Sequence, residues 1–183
     1  MAPWSLARAS ALRVLSMIAG VPTLMMLGAM AIGVFTNPFA IVLAVGAMAF
    51  GIGSMLVWLS QATELANSVT PTEVRPSMRA FRVAVRSVGV YALVFTAVWA
   101  LLAGGSGLIG PQVMLLIMPV HLMMMLASVY CFGFFAYSLT LAERRSSSSL
   151  AGPMLVNALL VWFWFPGLFF LQPKLQRLAA STS

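Results

Sequence analysis

Four stretches of the chain are apolar over about the length that a helix needs to cross a lipid bilayer. A spanning helix takes roughly 20 apolar residues, because about 30 Å of hydrocarbon is crossed at about 1.5 Å per residue. Segments rich in proline, glycine or polar residues separate the stretches. The predicted helices cover residues 12–35, 39–59, 87–103 and 112–141.

The composition excludes a water-soluble globule. Hydrophobic residues make up 62% of the 183 positions and charged residues 7%, against about 25% charged in a typical soluble domain. Too few polar groups remain to cover a water-exposed surface, so most of the chain must be solvated by lipid. We therefore predict an all-α integral membrane helical bundle in a single membrane domain, residues 1–183, with two transmembrane hairpins. Small residues four apart, such as Ala47 with Gly51 and Ala49 with Gly53, allow the first two helices or two copies to pack closely.

The arginines predict the orientation of this bundle. The two links at residues 36–38 and 104–111 carry no charge, and the basic residues lie at the opposite ends of the helices. Because cytoplasmic loops collect lysine and arginine, the N-terminus and the connector at residues 61–86 are predicted to be cytoplasmic. The net charge of +7 thus indicates membrane orientation rather than nucleic-acid binding. The basic residues counted on the inner side are Arg8, Arg13, Arg75, Arg79, Arg82, Arg86, Arg144 and Arg145.

The last apolar segment, residues 153–171, has two interpretations. It is long enough to span, but spanning would place Lys174 and Arg177 outside, and Phe165-Pro166-Gly167 interrupts it. Proline and glycine are tolerated in membranes where neighbouring helices satisfy the freed backbone groups. A fifth span and a re-entrant segment both remain open, and with them the side of the C-terminus.

Several short stretches from Trp58 onward resemble a known family. They are Trp58-Leu59 with the polar residues 61–67, Pro119-Val120-His121-Leu122, Tyr130-Cys131 with residues 137–143, and Trp164-Phe165-Pro166-Gly167 with Gln172-Pro173-Lys174. The pattern is similar to a family of small, uncharacterised bacterial inner-membrane proteins and extends over about two thirds of the chain. This resemblance implies a multi-pass protein of the bacterial inner membrane and implies no activity.

A row of arginines precedes the third apolar stretch. Spacings of four, three and four place the guanidinium groups within about 60° of one helix face. Thr70 to Glu73 fits a helix start with a capping box, and Met78, Phe81 and Val85 share a neighbouring apolar face, so an amphipathic interfacial helix is predicted. The row either anchors the protein at anionic headgroups or forms a contact for an anionic lipid, an acidic partner or a phosphate-bearing ligand. Its members are Arg75, Arg79, Arg82 and Arg86.

A second row with the same spacing lies on the fourth helix. Thioether and imidazole groups are the ligands that favour Cu(I), so a pathway for protons or copper is one hypothesis. Packing is the other, since methionine is a common core filler and Pro119 disturbs the face. The histidine lies near mid-membrane, where an ionisable side chain suggests function, although a hydrogen bond to a neighbouring helix explains it equally. The residues are Met114, Met118, His121 and Met125.

The chain offers little material for catalysis. Three acidic residues and one histidine supply few general acids or bases, and no nucleophile triad, glycine-rich phosphate loop or zinc spacing is present in the sequence. We predict no enzyme activity, no metal and no cofactor. The predicted function is that of an accessory or structural subunit of a membrane complex, or of a homo-oligomer, whose partners are membrane lipids, other membrane subunits or itself. The alternative is a small transporter or channel that uses His121 and the methionine face.

Overall fold

The computed structural model describes residues 9–33, 37–103, 111–143 and 151–180, with only the backbone described at 38, 99–103, 111–116, 164 and 165. These ranges contain helices and short turns and no strand. Four helices are long and apolar enough to cross a membrane. They are α1 (Ala11–Ile32), α2 (Pro38–Val69), α3 (Arg79–Ala103) and α4 (Pro111–Glu143), and they are followed by the shorter α5 (Ala151–Trp162) and α6 (Trp164–Ala180).

Two helices extend into the segment predicted as a polar connector. α2 continues ten residues beyond the predicted end at residue 59, and α3 begins at Arg79 instead of residue 87, so only residues 70–78 separate them. The helix continues through the polar residues of α2 because Ala62, Leu65 and Ala66, on the other face of the same turns, are buried. Thr70, expected to begin a helix, instead ends α2, where its hydroxyl donates to the carbonyl of Ala66 at 2.8 Å.

α1 contains a π-helical turn, Ser16–Gly20, which ends two residues before Pro22. Proline lacks an N–H and its ring clashes with the carbonyl four residues earlier, and a wider turn accommodates both effects. The carbonyl oxygen of that residue, Ile18, faces α2 at Gly51, where an added Cβ would lie only 3.2 Å from it. Small residues thus let α1 and α2 approach closely, and Ala47 is buried in the same contact. Gly53, by contrast, has no neighbour within 4 Å of an added Cβ.

The four long helices alternate in direction around α2. An ion pair of 3.4 Å joins Glu64 of α2 to Arg82 of α3. Phe81 of α3 stacks on Phe134 of α4 with ring centroids 5.0 Å apart, and α2 and α4, which run parallel, meet where Trp58 contacts Phe135 edge to face at 5.7 Å. The segment from Met78 to Val85 therefore packs into the protein with its apolar face, where an interfacial helix was predicted.

The buried interior lies at one end of the bundle. This is the end at which α1 and α3 begin and α2 and α4 end, and we call it the basic end because Arg13, Arg75, Arg79, Arg82 and Lys174 lie there. From the middle of the helices onward, many large apolar side chains of the described residues point outward, as at Leu24 and Leu126, which are 70% and 71% exposed. The fully buried large side chains are Val14, Leu59, Leu65, Phe81, Phe135, Leu139, Val161, Leu168, Leu171 and Leu175.

α5 and α6 form a bent pair that packs on the basic end. The 12 residues of α5 cover about 18 Å, short of a bilayer crossing. The chain turns at Phe163, and α6 returns along α5 so that Lys174 contacts Asn157 at 2.9 Å. At the bend the backbone of Gly167 lies against Leu160, whose carbonyl oxygen a Cβ at position 167 would overlap.

We expect Gly167→Ala to lower the free energy of unfolding by about 1–3 kcal/mol, because the added methyl group forces the two helix backbones apart. Thermal unfolding in mild detergent measures this. Gly152→Ala is the matched control, since it lies in α5 with no neighbour within 4 Å of the added carbon and should cost nothing. Equal stability of the two variants would contradict the close approach at the bend.

Candidate functional site

Four polar side chains from three helices form one hydrogen-bonded cluster, which we call the Lys174 cluster: Thr140, Glu143, Asn157 and Lys174. The Lys174 ammonium donates to both carboxylate oxygens of Glu143, at 3.0 and 3.2 Å, and to Asn157 Oδ1 at 2.9 Å. Asn157 Nδ2 donates to Thr140 Oγ1 at 3.0 Å and to Glu143 Oε2 at 3.2 Å. The cluster therefore ties α4, α5 and α6 together.

The charges of the Lys174 cluster offset one another. Glu143 is the last residue of α4, and a carboxylate is unfavourable there because the helix dipole is negative at its C-terminus. The ammonium of Lys174 neutralises it. Each side chain of the pair keeps about 30% of its surface exposed (31% and 29%), so the full desolvation penalty of a buried ion pair is avoided.

A second buried tie joins the start of the chain to α2 and α6. The indole N–H of Trp58 donates to Gln172 Oε1 at 2.9 Å, and Gln172 Nε2 donates to the carbonyl of Ala9 at 2.7 Å. Gln176, one turn further on, donates to the same carbonyl at 2.9 Å. Because Ala9 precedes α1, these bonds fix the position at which the first helix begins.

His121 has a defined partner on the neighbouring helix. Its Nδ1 and the hydroxyl of Tyr91 share a hydrogen bond of 2.7 Å between α3 and α4, and the ring of Phe95 lies 5.1 Å from the imidazole. The imidazole is half-buried. A hydrogen bond to a neighbouring helix is one of the two explanations that the sequence allows for this histidine, and the structure contains such a bond.

The methionines of the fourth helix do not join His121 in an enclosed path. Met118 and Met125 are each 55% exposed on the outer surface of α4, and the side chain of Met114 lies outside the described residues. Among the residues described, no group of three or more histidine, cysteine, aspartate or glutamate side chains could hold a metal ion.

The predicted arginine row is divided among different partners. Arg75 lies before α3, and its guanidinium donates to the carbonyls of Ser68 and Thr70 at 3.1 and 2.9 Å, so it caps the end of α2. Arg82 pairs with Glu64. Arg79 and Arg86 are exposed on α3 and form no ion pair with any residue that the structure describes. Arg75 therefore does not belong to the face of α3 on which the spacing places Arg79, Arg82 and Arg86.

Sequence reasoning missed the pairing of Lys174 with Glu143, the role of Gln172, and Tyr91 as the partner of His121. A charge argument could have found the first, since the chain has only one lysine and three acidic residues and both members lie at ends of apolar segments. Gln172 and Gln176 are one helical turn apart, which indicates a polar stripe. Nothing in the sequence selects Tyr91.

The described polar groups bond to one another across helices and so position the helices. The basic end also presents the exposed cations Arg79 and Arg86. The chain matches no known family model, and neither the curated proteins nor the solved structures include a detectable relative.

We expect Lys174→Met and Glu143→Gln each to lower the free energy of unfolding by about 1–2 kcal/mol, because each leaves one charge without its partner. The double variant should lose about 1 kcal/mol less than the sum of the two single losses. Unfolding in mixed detergent measures the cycle. Arg177→Met serves as the control, since it removes an exposed cation from the same helix and should change stability by less than about 0.5 kcal/mol. Additive losses would show that the two charges do not interact.

Proposed function

We propose that this protein is a non-enzymatic integral membrane protein that acts by packing, as an accessory or structural subunit of a membrane complex or as a homo-oligomer. The observation that carries this proposal is the use of the interior polar side chains. Trp58 donates a hydrogen bond to Gln172, and Lys174 bonds to both Asn157 and Glu143. Each of these bonds connects two helices. Such ties stabilise an arrangement of helices, which supports a role in packing.

The proposed location is a bacterial inner membrane, with the basic end in the cytoplasm. The positive-inside tendency supports this side, because the charged residues of the described part collect at that end. The proposal includes a re-entrant α5–α6 hairpin. Its support is the contact of Lys174 with Glu143 at the end of α4, which a fifth span would separate by the thickness of the bilayer.

Single-cysteine labelling tests this topology in a Cys131→Ala background. We expect Thr72→Cys and Ala180→Cys to be protected from a membrane-impermeant thiol reagent added to intact cells, and Asn37→Cys to react. Thr72 lies between α2 and α3, Ala180 at the end of α6, and Asn37 between α1 and α2. Reaction of Ala180→Cys together with Asn37→Cys would instead require α5 and α6 together to cross the membrane once, as a fifth span.

The exposed apolar half of the bundle supports association with further protein. Away from the basic end, large side chains such as Leu24, Met30 and Leu126 face outward over half or more of their surface. Lipid covers such side chains in any membrane protein, and additional helices can replace that lipid with little penalty because both are apolar.

A pull-down from native membranes in mild detergent tests the proposed function. We expect either a stoichiometric membrane partner or a mass in detergent of two or more copies, in contrast to a monomeric multi-pass protein carrying the same tag. A solitary monomer that co-purifies with no protein would contradict the proposal.

A small transporter or channel for protons or copper is the second candidate, favoured by the hydrogen bond between Tyr91 and His121 inside the α3–α4 contact. The outward Met118 and Met125 give it no sulfur-lined path within one copy. A proton or copper flux into liposomes that is lost in His121→Ala would support this candidate, and metal analysis of the pull-down eluate adds an independent readout.

A further inference from the structure

A groove of about 710 Å³ runs between α3 and α4 from the basic end toward the middle of the bundle. Ser77 and Arg79 lie at its polar end, and Val83, Ala84, Met123 and Ala127 line it further along. From Arg79 to Ser87 the groove follows α3 over eight residues, or about 12 Å. One end is therefore cationic, and the remainder is apolar except at Ser87.

The polar end has two sources of positive potential. The guanidinium of Arg79 is exposed and forms no ion pair with any described residue, in contrast to Arg82, which Glu64 neutralises. Arg79 is also the first residue of α3, where the positive end of the helix dipole favours an anion; its own N–H points to Ser77 Oγ at 3.5 Å. A phosphate placed here would meet both.

The apolar part of the groove lies where acyl chains would lie. Val83 and Met123 are 59% and 55% exposed, and they belong to two of the four helices that are long and apolar enough to cross a membrane. A soluble acidic protein could reach Arg79 but could not follow the groove into hydrocarbon. An amphipathic molecule with an anionic head and an apolar tail matches both parts.

We propose that this groove binds an anionic phospholipid, with the phosphate at Arg79 and the start of α3 and one acyl chain along Val83, Ala84, Met123 and Ala127. The inference rests on the membrane placement proposed above and is independent of the proposed protein partner. Arg86 lies about two helical turns beyond Arg79 on the same side of α3 but outside the groove lining, and it takes no part.

Binding of dioleoyl phosphatidylglycerol to the delipidated full chain in detergent tests the proposal, with dioleoyl phosphatidylcholine as the neutral comparison. We expect Arg79→Gln to weaken phosphatidylglycerol binding about five- to tenfold and to change phosphatidylcholine binding little. Arg86→Gln removes the same charge from an exposed position on the same helix and should have little effect. Equal weakening by both variants would mean that only the overall charge matters, which would overturn the site.

The apolar part is tested separately. Ala127→Phe fills the groove and should weaken phosphatidylglycerol binding, whereas Leu126→Phe, at a neighbouring position that faces outward, should not. Equal effects of the two variants, or displacement of the lipid by millimolar inorganic phosphate alone, would show that no acyl chain occupies the groove. Thermal unfolding of each variant confirms that it is folded. Because binding is measured on the isolated chain, a failed pull-down leaves this result unaffected.

Discussion

The hydrogen bonds around Gln172 connect parts of the chain that lie far apart in sequence. Gln172 is fully buried, and an amide in an apolar interior is tolerated only when its polar atoms are bonded. Its oxygen accepts from Trp58 and its nitrogen donates to Ala9. Satisfying this one amide brings α6, the middle of α2 and the residues before α1 to a common point. The apolar side chains packed around it, including Phe135 and Leu171, form the main core.

The same constraint explains why the two ends of the bundle differ. Inside a bilayer the hydrophobic effect does not draw helices together, so specific hydrogen bonds and close packing must do so. At the basic end the Gln172 bonds, the Lys174 cluster and the Glu64–Arg82 pair supply these interactions. Toward the other end the described contacts are small-residue packing, such as Ala29 against Ala44, and the single Tyr91–His121 bond. The described interior is therefore densest at the end where these hydrogen bonds and ion pairs form.

The sequence was sufficient for the long helices because their signal, sustained apolarity, is local. It was insufficient at their ends, since Glu64 and Asn67 were interpreted as a loop although an apolar face continues beneath them. The helical spacing of the four arginines likewise does not make the whole segment helical, since Arg75 lies before α3. Arg75 precedes Pro76, which disfavours helical geometry at the residue before it, and its side chain caps α2 instead. The bend at Gly167 and the return of Lys174 to Glu143 depend on contacts between helices, which no local pattern specifies.

The methionine row shows a limit that is particular to membrane helices. In a soluble protein an apolar face at helical spacing points to the core, because the opposite face must meet water. In a bilayer both faces can be apolar, so the spacing of Met118, His121 and Met125 could not distinguish a face toward lipid from one toward protein. The structure separates them: the methionines point outward, and the imidazole lies against Tyr91. Polar and charged residues carry the information about neighbours in such a chain, because each one inside the membrane needs a partner. By that argument Arg79, which lines the groove and has no carboxylate partner among the described residues, in contrast to Arg82, is the position at which a ligand from the membrane is most expected.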